Sequence, residues 1–195
     1  MPTWVRVPVM GIAFIGRWLS RFRKLDRFTG AGTEVQEPGE AEVLFSLGDT
    51  FADEDSKTHD PARALECYEK AASLGHAGAQ CRLGVLYGQG GGSGQDEELA
   101  LQWLCKAANQ GHAEAQYHLG VRQTRASRVP QADTSECRAE AFKWLELATA
   151  QHFTGAEMAR DFVAMQMTRK EIVEGGRRAV CFALAMAKVI KPLAQ

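Results

Sequence analysis

No CxxC pair occurs anywhere in the 195 residues, and the five cysteines make an odd count. A secreted disulfide framework shows an even count at tight spacing in a shorter chain. Cys67, Cys81, Cys105, Cys137 and Cys181 therefore read as reduced thiols, which favours a reducing compartment. No apolar run reaches the roughly 18 residues that a membrane-spanning helix needs. Charge of one sign is not in excess either: a net charge of -1 gives no basic domain of the kind that holds nucleic acid. A phosphate loop is excluded by its missing lysine. Gly90, Gly91, Gly92, Ser93 and Gly94 run into Gln95 and Asp96 after a helical stretch rather than a strand, so they read as a loop between helices. With 45% hydrophobic and 24% charged residues the chain is neither disordered nor collagen-like, and its length suits one folded unit with a tail or two.

What the chain does have is self-similarity. GHAGAQCRLGVLY at 75–87 recurs as GHAEAQYHLGVRQ at 111–123, and ALECYEKAASLGHA at 64–77 recurs as ALQWLCKAANQGHA at 100–113, both at an offset of 36. Leu47 and Gly48 stand one such period before Leu83 and Gly84. A third copy, AFKWLELATAQHFTGAE at 141–157, is displaced by 41, and the five extra residues fall in the polar, Pro130-containing stretch 124–136. An insertion there lengthens a connection and leaves the packing faces intact.

Each copy reads as two helices. Ala79, Leu83 and Leu86 line one face of the first. Asp60 and Pro61 supply a cap and a first turn for the second, Asp96 takes the cap's place in the next copy, and Asp133 with Glu136 has capping-box spacing in the third. Gly75 and Gly111 are expected to end those second helices in the left-handed conformation. Ala71, Ala72, Ala79, Ala107, Ala108 and Ala115 cluster at these corners, small enough for helix backbones to approach closely. Thr168 and Glu171 form a further capping box, opening a helix that the Gly175-Gly176 pair should loosen or kink.

The pattern AxxxLGxxYxxG, followed by an Asp and then ALxWxxKAAxxGHAxAQ, resembles the Sel1-like repeat, a relative of the tetratricopeptide repeat. The resemblance implies an all-α fold: a right-handed α-solenoid of helix-turn-helix repeats closed by a C-terminal capping helix. On this reading residues 1–28 are a basic, partly apolar N-terminal segment and 29–40 a linker. The repeats span 41–77, 78–113 and 114–154, with a degenerate copy at 155–166 where Arg160 and Asp161 replace the Leu-Gly pair, and 167–195 form the capping helix and tail.

The head has six basic residues against the single acid Asp26. Val5 to Ile15 is largely apolar, and Trp18, Phe22 and Leu25 follow at helical spacing beside Arg17, Arg21 and Lys24, a pattern suited to an anionic membrane surface. A secretory signal is disfavoured by the basic residues after the apolar run and by the lack of a small-x-small site. An organellar transit peptide has the arginines but few serines. The plainest reading is an extra helix docked on the first repeat or left free.

The family resemblance implies a protein-binding surface built from matching positions of successive repeats, so the expected function is a non-enzymatic adaptor for a protein or peptide, with no nucleic-acid partner. Gln80, Arg82, Gln116, His118 and Arg122 flank the core of the first helices and are the candidate contact residues; Arg122 stands out because it replaces the apolar Leu86 of the preceding copy. No catalytic residue, cofactor or metal is expected. Zinc held by His76, His112, Cys81 and Cys105 is disfavoured because Zn-N distances are about 2.1 Å, whereas equivalent residues of stacked repeats stand about 8–10 Å apart. A Cys-His nucleophile lacks a third orienting group and an oxyanion donor. Some cysteine-rich secreted relatives are described as β-lactamase-like; the cysteine pairs they carry correspond here to Ala72 with Ala79 and Ala108 with Ala115, so a hydrolase is the remote alternative. A membrane-surface tether using residues 1–28 is the nearer one, and the expected location is cytoplasmic or at a membrane surface.

Overall fold

The computed structural model of the chain describes residues 39–55, 57–89, 97–126 and 134–190. Among the described residues there are eight helices and no strand: α1 Glu40–Ala52, α2 Pro61–Ser73, α3 Ala77–Gln89, α4 Glu97–Asn109, α5 Ala113–Ala126, α6 Thr134–Ala150, α7 Ala156–Ala164 and α8 Arg169–Ile190. The expectations for residues 1–28, for the glycine run 90–94 and for the caps at Asp96 and Asp133 lie outside them, as does the expected linker but for its last two residues.

Consecutive helices pack as pairs, α1 on α2, α3 on α4 and α5 on α6. The Leu-Gly dipeptide sets how closely. A Cβ built on Gly84 would lie 2.6 Å from Cγ of Leu104 and 3.1 Å from the carbonyl of Ala100, and one on Gly120 would meet Leu145 and Ala141 at the same two distances. Gly48 faces the ring of Tyr68 in the first pair, at 2.7 Å from such a Cβ. The glycine thus recurs because a partner side chain fills the volume a methyl group would need.

The corners repeat as faithfully. Gly75 (φ 92°) and Gly111 (φ 89°) adopt the left-handed conformation. The N-H of Gly75 donates to Ala72 and that of His76 to Ala71, a pair of bonds that caps the exposed carbonyls; Gly111 and His112 do the same with Ala108 and Ala107. Asp60 accepts from the N-H of Arg63, and Pro61 begins α2. Ala71, Ala72, Ala79, Ala107, Ala108 and Ala115 are all buried.

Burial is segmental. One apolar cluster joins Tyr68, Ala72 and Leu83 between the first two pairs, a second joins Leu104, Leu119, Trp144 and Ala179, and a third joins Phe142, Leu145 and Val163. Helix α6 enters two of these and is buried on nearly every side from Ala139 to Ala148. Beyond it the repeat decays. Arg160, standing where Leu119 stands one copy earlier, turns to the buried carboxylate of Glu146 at 3.4 Å and to Asp161 at 2.7 Å. With no Leu-Gly pair, α7 stays short and α8 packs on α6 in addition.

Helix α8 corrects one expectation. It runs unbroken through Gly175 and Gly176. A Cβ on Gly175 would lie 2.8 Å from the carbonyl of Ala139 and 2.9 Å from the Phe142 ring, so this glycine permits close approach to α6 and does not kink the helix. The capping box at its start is formed in both directions: the N-H of Thr168 donates to Glu171 Oε2 at 2.5 Å, and the N-H of Glu171 to Thr168 Oγ1 at 3.4 Å.

Candidate protein-interaction face

Helices α1, α3 and α5 are the first helices of successive copies, and the candidate contact residues lie on the last two of them. The structure sorts those five residues into three kinds.

Gln80 and Gln116 are removed from the surface, at 5% and 1% exposure. The Gln80 amide donates to the carbonyl of Ala72 at 3.1 Å, and its oxygen accepts from Gln110 at 2.8 Å. Gln116 repeats this with Ala108 at 3.2 Å and Gln151 at 2.9 Å. Each glutamine therefore ties a helix end to the next corner, which engages both ends of its amide and leaves little to offer a partner. A polar residue near an apolar stripe reads as solvent-facing in sequence; here the helix-end carbonyls of Ala72 and Ala108 accept a second hydrogen bond from it and hold it inward.

Arg122 is also committed. Its side chain is 15% exposed, forms an ion pair with Glu97 and passes over Gly88, where the lack of a side chain leaves room for the guanidinium. The change from Leu86 to Arg122 thus exchanges an apolar contact for a tie between α5 and α4.

Arg82 and His118 remain accessible, and the structure adds two acids that the sequence pattern did not single out. Arg82 lies between Asp49 of α1 at 3.9 Å and Glu114 of α5 at 3.8 Å, and His118 is 3.8 Å from Glu114. These four side chains, between 30% and 47% exposed, make a polar ladder across three repeats. His118 and Arg82 hold the Glu114 carboxyl below its ordinary range, so it is ionised at neutral pH. The signal was in the register: Glu42, Gly78 and Glu114 are equivalent positions, and an acid returning after a glycine marks a position that changes its task along the array.

The histidines of the GHA corners cap the helices that follow them. His76 Nδ1 accepts from the N-H of Ala79 at 3.1 Å, while Nε2 meets Glu42 at 2.8 Å and the ring stacks on Phe45 at 4.5 Å. His112 Nδ1 accepts from Ala115 at 3.4 Å. The helix-diameter argument against a metal holds for equivalent residues and fails for non-equivalent ones, since Cys81, His112 and Glu114 bring their ligand atoms within 4.8 Å of one another. As a nucleophile Cys81 is poor: it is 1% exposed, and burial pushes its thiol up to about 12. All five cysteines are free. No helix among the described residues is long and apolar enough to cross a membrane.

Several solved structures resemble the chain, two of them as follows. A protective antigen of uropathogenic Escherichia coli displaying an SLR fold shares 26% identity at a TM-score of 0.64. That match covers 80% of this chain and 34% of the other, so this chain spans about a third of that protein's length. A Sel1 repeat protein from Oxalobacter formigenes shares 28% identity at a TM-score of 0.52, covering 63% of this chain and 88% of that one. No curated protein matches. The Sel1 repeat family model matches residues 41–76, 77–112 and 113–153. Sel1 repeats generally mediate protein-protein interaction. With the corners, the Leu-Gly contacts and three matched copies in place, the chain belongs to the Sel1 repeat family.

Proposed function

We propose that this chain is a non-enzymatic adaptor that holds a protein or peptide segment along α1, α3 and α5. The observation that carries the reading is the ladder Asp49, Arg82, Glu114 and His118. Its internal separations of 3.8–3.9 Å are long for ion pairs, and its members are partly exposed, so a partner's polar groups can replace these contacts at little cost. Spanning three repeats, the ladder suits an extended ligand better than a small molecule.

Affinity capture tests it, using the intact chain and an Arg82→Glu variant. This reversal sets three acids together and should weaken capture of a specific partner by about tenfold or more. Circular dichroism should show the variant folded, since the Arg82 side chain is 47% exposed. A partner retained equally by both proteins places binding elsewhere and sinks the reading.

A further inference from the structure

We infer that Cys81, His112 and Glu114 form a Zn²⁺ site between the second and third repeats. Position 81 is equivalent to Phe45 and Tyr117. At the flanking interfaces these positions carry ring pairs, Phe45 with His76 at 4.5 Å and Tyr117 with Phe153 at 5.2 Å. The middle interface places a thiol against His112 instead. At the same interface the carboxylate that His76 receives from Glu42 is missing, because the equivalent of Glu42 is Gly78. Glu114 supplies a carboxylate from the opposite side of the corner, on α5. Three donors from two helices and a corner thus converge within 4.8 Å.

The donor set selects the ion. Thiolate, imidazole and carboxylate are the ligand types of zinc, with bonds of about 2.0–2.3 Å, and a thiolate disfavours calcium and magnesium. His112 brings an imidazole to this set from the corner between α4 and α5. Its capping bond to Ala115, at 3.4 Å against 3.1 Å at His76, is the weaker of the two, so freeing a ring nitrogen for the metal gives up little. On binding, the Cys81 thiol releases its proton to solvent and a Zn-S bond replaces one Zn-water bond. Arg82 opposes the cation at Glu114 and must relax toward Asp49, which is already within 3.9 Å. Water or His118 can complete the four-coordinate shell.

The test titrates the reduced, metal-stripped full chain with Co²⁺ and Zn²⁺. One equivalent of Co²⁺ should bind with a thiolate-to-metal charge-transfer band, and Zn²⁺ should displace it. Cys81→Ser should abolish the band. Glu114→Gln and His112→Asn, the latter keeping a helix-capping side chain, should each weaken Zn²⁺ binding by more than about tenfold. Cys105→Ser should change nothing. If Cys81→Ser does not fold, the partly exposed Glu114→Gln still decides the matter. Absence of stoichiometric binding, a band that survives Cys81→Ser, or Zn²⁺ affinity equal in all variants overturns the site. The readout needs no protein partner, so it stands or falls separately from the adaptor reading.

Discussion

His152 sits at φ 60°, in the left-handed region that Gly75 and Gly111 occupy at the two preceding corners. Its backbone bonds match theirs: the N-H of His152 donates to Thr149, and that of Phe153 to Ala148. The corner is therefore formed with a side chain where the repeat elsewhere has none, and a left-handed non-glycine residue costs roughly 1–2 kcal/mol. Part of that is offset because histidine has less freedom to lose on folding than glycine. His152→Gly should stabilise the chain by about 0.5–1 kcal/mol, a rise of roughly 1–4 °C in Tm by calorimetry. An unchanged or lowered Tm would show that the exposed imidazole compensates. At this scale the sequence was legible where geometry alone selects the residue, as at Gly75 and Gly111. It was not legible where a hydrogen bond decides: Gln80 and Gln116 have the composition of a wet face and become buried ties only because Ala72 and Ala108 present carbonyls at the helix ends.

At the scale of elements, the start of α8 depends on one small network. Glu171 accepts from the N-H of Thr168 and from Arg138 Nη2 at 2.7 Å, and these donors hold its carboxyl below the ordinary range. An acid depressed in the folded state contributes stability that is fully present above its unfolded value, about 4.3, and is lost as pH falls through the folded value. Glu171→Gln should therefore cost on the order of 1 kcal/mol at neutral pH, and the gap from the parent should narrow as pH falls through the acid's folded value, measured by urea unfolding across the acid range. A gap that persists in acid would assign the effect to packing. The capping box itself was readable in Thr168 and Glu171, because its spacing is local. Arg138, 33 residues upstream, was not, and neither was the role of Gly175, which depends on the α6 surface it meets.

At the scale of the whole described array, the first and last helices are unequal. Helix α1 enters only the first apolar cluster, where it covers Tyr68 and neighbours. Helix α8 covers α6, which belongs to both of the others: Phe182 lies edge-on to Trp144 at 5.3 Å, Gly175 seats against Phe142, and Ala179 is fully buried. Arg178 adds a polar clamp to Glu136 and Glu140 of α6. Burying one large side chain contributes about 1.5–3 kcal/mol, and a domain's whole stability is about 5–15 kcal/mol. A chain ending at Met167 uncovers Trp144 and Phe142 together, enough to threaten both clusters that share α6. A chain beginning at His59 uncovers the Tyr68 side of one cluster and leaves α6 untouched, as nearest-neighbour stacking requires. Urea unfolding followed by tryptophan fluorescence should therefore show a low, broadened transition with dye binding in the first truncation, and a sharp one near the parent midpoint in the second. Equal losses from both ends would mean that stability is spread evenly along the array and that α6 is not its hub.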